Sequence, residues 1–168
     1  MRSHIAAILV SSSLMLSVGC DGGFDEATGV YSGNGITATF PAGWGDGFNA
    51  PNMVVSRADP DSETIMMLTV QTVPAEFTIE RYEEESSRQL RSQGVVQFDS
   101  GVIEADGVEG GWRVADQVLQ GESFRSISYH FMHGGKMYLL VGLTEKSEFG
   151  EWETRFDEVA KSIDFSDP

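Results

Sequence analysis

The run Lys136–Thr144 (KMYLLVGLT) limits the architecture more than any other stretch of the chain. In an extended backbone Met137, Leu139, Val141 and Leu143 point to one face, and Tyr138 and Leu140 to the other. A strand that is apolar on both faces has to be covered on both faces. The chain must therefore supply a layer of structure for each side of a sheet.

The segments before and after this run provide those layers. Tyr31–Phe40 reads as a strand, followed by the loop Pro41–Asn52 (PAGWGDGFNAPN). Met53–Arg57 and Thr64–Val73 are β-rich runs split by the turn Asp59-Pro60-Asp61. Phe77–Gln93 has helical spacing, with Ile79, Tyr82, Ser86 and Leu90 on one stripe and charged residues between them. Thr78 is its expected N-cap, and Gly94 its stop. Four strands then follow in a meander: Val95–Ala105, Val108–Leu119, Ser123–His133 and Lys136–Thr144. Their turns fall at Asp106-Gly107, near Gln120-Gly121-Glu122, and at Gly134-Gly135. Glu148–Ser162 is a second helix with Ser147 as its expected cap; Phe149, Trp152, Phe156, Val159, Ala160 and Ile163 form its apolar stripe. The expected fold is α+β, one domain over residues 31–168. Its central antiparallel sheet has about six to seven strands, with helices on both faces.

Charge narrows the partners. The 168 residues carry 11 basic and 26 acidic side chains, a net charge of −15. A chain this acidic is repelled by phosphate backbones, which excludes nucleic-acid binding. It is also repelled by anionic headgroups, so attachment to a membrane requires a covalent anchor.

The N-terminus has the form of such an anchor signal. Arg2 precedes the apolar run Ile5–Leu16, too short to span a bilayer and suited to the core of a secretory leader. Leu16-Ser17-Val18-Gly19-Cys20 resembles the bacterial lipobox, although Ser17 stands where leucine is usual. Cys20 is the only cysteine, so no intramolecular disulfide can form. The expectation is a lipoprotein leader at 1–19, a lipid on Cys20, and a flexible Gly-rich acidic tether through Val30. Ordinary cleavage after Ser17-Val18-Gly19 is the alternative, and would leave an exposed thiol. Asp21 resembles the residue that retains enteric lipoproteins at the inner membrane.

Two stretches carry a wider resemblance. Gly35-Ile36-Thr37-Ala38-Thr39-Phe40-Pro41-Ala42-Gly43-Trp44 lies near the start, and Phe156-Asp157-Glu158-Val159-Ala160-Lys161-Ser162-Ile163-Asp164-Phe165 at the end. With the order of elements, they resemble the PsbP-like group, which includes the photosystem II extrinsic subunit, DcrB lipoproteins and a Ran-binding import factor. The resemblance spans about residues 30–166. It implies binding or assembly rather than catalysis, with no cofactor and no particular ligand.

Three candidate sites remain. If Asp116 faces Ser126, Val114 faces Ser128 and Trp112 faces His130, then Asp116, Ser126, Ser128 and His130 form a polar column. Its chemistry could be hydrolytic. Against this, residues two apart on a strand are separated by ~6.8 Å, and no nucleophile elbow is present. The plainer reading is that small serines make room for Trp152 and Phe156. Trp44 and Phe48 offer an interaction surface, unless Trp44 plugs one end of the core. Asp59, Asp61 and Glu63 could attract a cation, but lack the spacing of a calcium loop, and no metal site is expected. His133, beside Gly134-Gly135, is expected to be exposed and no ligand. The sequence therefore points to a lipid-anchored, extracytoplasmic binding or assembly module with an envelope protein partner. A serine hydrolase using His130 and an acidic cation-binding lipoprotein are the alternatives.

Overall fold

Ten strands and two helices follow one another in a computed structural model that describes residues 22–165. They are β1 (Gly22–Asp25), β2 (Val30–Gly33), β3 (Ile36–Thr39), β4 (Gly45–Asp46), β5 (Met53–Ala58), β6 (Ile65–Thr72), α1 (Ile79–Ser92), β7 (Val96–Ala105), β8 (Val108–Leu119), β9 (Glu122–His133), β10 (Lys136–Glu145) and α2 (Phe149–Lys161). The lipobox, Cys20 and Asp21 lie outside the described residues.

The doubly apolar strand β10 is the fourth of seven in the larger sheet, whose order is β4-β5-β6-β10-β9-β8-β7. All its pairings are antiparallel. α2 and the small sheet β1-β2-β3 cover one face, and α1 covers the other. The fold is thus the expected α+β arrangement.

The two faces are packed differently. On the α2 face Leu68, Tyr129, Phe131, Tyr138, Leu140 and Phe156 belong to one large buried cluster with Trp44 and Ile36. Gly142 lets α2 approach: a β-carbon there would stand 2.7 Å from the Phe156 ring. The α1 face has only a small cluster of Ile65, Met67, Phe124, Val141 and Leu143. No side chain of α1 is buried.

Several local expectations change. The segment read as a tether contains β1, paired with β2 from Gly22↔Gly33 to Asp25↔Val30. Phe24 packs edge-on against Phe40, and Glu26 pairs with buried Arg57, so this segment is held by tertiary contacts that its glycines do not reveal. Thr78 caps α1 as expected, accepting from the Arg81 N–H at 3.3 Å. In α2 the cap position is Glu148 rather than Ser147, and no side chain caps it.

The most consequential change is at the β8–β9 turn. It consists of two residues, Gln120 (φ 53°) and Gly121 (φ 91°), so Leu119 pairs with Glu122. The register becomes Ala115↔Ser126, Arg113↔Ser128 and Gly111↔His130, one residue from the expected pairing. A one-residue slip exchanges the faces of a strand. Trp112, Val114 and Asp116 consequently share the α2 face, not the face of the serines.

Candidate functional site

The polar column exists, but under α1 rather than α2. Ser126 and Ser128 line the floor of a cavity with Arg113, Ala115, Val141 and Leu143, roofed by Tyr82, Ser86, Gln89 and Leu90 of α1. Its volume is about 210 Å³. Protein interiors are packed like organic crystals, and an apolar cavity of about 150 Å³ already accepts benzene. This space lies where α1 stands off the sheet.

Polar contacts along one side hold α1 in that position. Glu83 Oε1 lies 2.9 Å from His130 Nε2. Arg113 Nη1 donates to Ser87 Oγ at 3.3 Å. Tyr82 packs on His130 with ring centroids 5.2 Å apart, and the Arg113 guanidinium lies 5.8 Å from the Tyr82 ring. Gly111 makes the Glu83–His130 contact possible: a β-carbon there would fall 2.3 Å from His130 Nε2 and 2.8 Å from Glu83 Oε1. The far side of the cavity meets Ala50, Pro51, Asn52 and Met53, so the end of the Trp44 loop reaches this site.

The expected site residues separate. Asp116 receives Arg125 through two hydrogen bonds, 2.7 and 3.0 Å, and Lys146 at 2.7 Å. Those hydrogen bonds, led by Arg125, hold its carboxyl below the usual range. It lies on the opposite face from His130. Ser126 Oγ donates to the Ala115 carbonyl at 3.4 Å, while His130 Nε2 is engaged by Glu83. The Ser–His–Asp set is therefore not assembled. Trp44 is 5% exposed and packs edge-on against Trp152 at 5.5 Å, so it closes the core and presents no interaction surface. Phe48 is half-buried against the α1-face cluster. His133 packs on Phe165, ring centroids 5.0 Å apart. Among the described residues no group of three His, Cys, Asp or Glu is placed to hold a metal, and no helix is long and apolar enough to cross a membrane.

His130 gives a pH dependence. Burial pushes its pKa below the ordinary imidazole value, with Arg113 adding to this and the Glu83 bond opposing it. The unfolded chain then takes up a proton before the folded chain does. Stability is full above about pH 6.5, the unfolded value, and falls as pH drops toward the depressed native one. Urea midpoints for wild type should decline over this window, and His130→Gln should flatten the decline. Equal slopes for the two chains would contradict this assignment.

Comparison with known proteins now places the fold. No protein-family model matches the chain, and no curated protein matches its sequence. Solved structures do match. Cyanobacterial PsbP from Synechocystis aligns with a TM-score of 0.56 at 14% identity, over 94% of this chain and 98% of its own. The fold is PsbP-like. LpqN of Mycobacterium tuberculosis, described as involved in cell envelope biogenesis, has a TM-score of 0.61 at 10% identity, over 79% of this chain and 83% of its own. The Ran-binding protein Mog1p of Saccharomyces cerevisiae gives 0.53 at 6%, over 79% and 91%. Such identities establish a PsbP-like architecture and leave ligand and partner to the site itself.

Sequence reasoning missed Arg113, Glu83 and Gly111. One signal was available: Arg113 is a lone cation inside the run Gly110–Ala115. Its meaning depends on the face it occupies, and so on the register.

Proposed function

We propose that this chain is a non-catalytic binding module that holds a small apolar ligand between α1 and the sheet. The observation that carries this reading is the cavity itself: about 210 Å³, floored by Val141, Leu143, Ser126 and Ser128, under a helix with no buried side chain. The surface of this lining is mostly apolar, with Ser126, Ser128, Gln89 and Arg113 among the polar side chains that reach it, a mixture found in ligand sites. The module is held outside the cytoplasm by a lipid on Cys20 and serves an envelope partner. The lipobox-like leader supports this address, and the described role of LpqN in envelope biogenesis agrees with it.

Two measurements test the reading. Membrane fractionation should find wild type with the membrane and Cys20→Ala released; a membrane-bound Cys20→Ala chain would remove the anchor. Calorimetry should detect saturable binding of the neutral probe decanol. Ser128→Leu, which fills the cavity floor, should weaken that binding about tenfold or more while raising the melting temperature. Undiminished binding by a folded Ser128→Leu chain would remove the cavity from the account.

A further inference from the structure

Arg113 is a cation in an unusual place. It is 5% exposed and lines the cavity. Among the described residues its partners are the Ser87 hydroxyl and the face of Tyr82, and no carboxylate pairs with it. The other buried arginine, Arg57, has two carboxylates. A buried charge with no carboxylate in ion-pair contact among the described residues is costly, and Glu83, the acid of the same contact cluster, is engaged by His130. The position calls for an anionic partner.

We infer that the cavity takes a single-chain anionic amphiphile, with its carboxylate on Arg113 and its hydrocarbon body along Leu139, Val141 and Leu143. This rests on the reading of the cavity as a ligand site and adds the chemistry of the ligand. Arg113 donates to Ser87 through Nη1, and a guanidinium that meets a carboxylate through two N–H groups holds it strongly and directionally. A single cation in a chain of net charge −15 matches a monoanion better than a dianionic phosphate. The aliphatic side chains of β10 continue from Leu139 to Leu143 along the same face, which gives the body an apolar floor longer than one ring.

The test uses the full chain carrying Cys20→Ala, so that no attached lipid competes. Decanoate, decanol and decylamine are titrated into it by calorimetry at neutral pH. Decanoate should bind about tenfold or more tightly than decanol, and decylamine most weakly. Arg113→Gln should lose that preference while retaining decanol binding, and Arg113→Lys should recover part of it. Circular dichroism and thermal melts establish that each variant is folded. If Arg113→Gln does not fold, the preference of the unsubstituted chain for decanoate over decanol and decylamine still decides. Equal binding of decanoate and decanol would overturn the anion assignment and leave the binding module standing. Binding of neither would overturn both.

Discussion

Phe156→Ala should destabilise the fold by about 3–5 kcal/mol, the range for removing a fully buried phenylalanine. Phe156 is 0% exposed and seals α2 onto β10. Its ring fills the space that Gly142 leaves open and stacks with Trp152 at 6.4 Å, with Phe149 at the same distance on a tilt. Neighbours this rigid cannot collapse into the vacated volume, so most of the cavity penalty remains. Chemical denaturation should show a lower midpoint with an unchanged slope. A loss below about 1 kcal/mol would mean that α2 is held mainly by its connection to the small sheet through Thr37–Asp164 and Ser162.

The second large effect belongs to Arg57. Its buried guanidinium donates to Glu26 at 2.8 and 2.6 Å, to Asp46 at 2.7 Å and to the Trp44 carbonyl, and lies 4.0 Å over the Phe24 ring. It joins the turn after β1, the short strand β4 and the tryptophan loop. Arg57→Met keeps the apolar stem and removes the donors. Glu26 and Asp46 are 67% and 90% exposed and return to water at little cost. The Trp44 carbonyl does not, so the expected loss is about 2–3 kcal/mol. Hydrogen exchange should show β1 and β2 losing protection while β9 and β10 keep theirs. Uniform loss across both sheets would contradict a local clasp.

Much of this architecture is legible in the residues. The strand Lys136–Thr144 requires two covering layers, and it sits at the centre of seven strands with one layer on each side. Asp106-Gly107 and Gly134-Gly135 announce their turns, because both positions of each must accept positive φ and the residues there do so readily. Gln120 is different: glutamine seldom adopts φ near 53°, so the turn reads as one residue longer than it is. That single residue turns Arg113 toward the serines and Asp116 away from them. The candidate site was thus half visible: Ser126, Ser128 and His130 share a face as expected, but the partner strand and the covering helix do not follow from local pattern. Nor does the strand within Gly22–Asp25, whose order comes from Phe40 and Arg57, far along the chain.

Occupation of the space beneath α1 by a ligand is the property on which the proposed function rests. Backbone amide NMR of the labelled chain during titration with decanol addresses this directly. Shifts that saturate together at Ser126, Ser128, Val141, Tyr82 and Gln89 are the predicted result. Shifts confined to the exposed apolar residues Val96, Phe98 and Val102 of β7, or none at all, would contradict it.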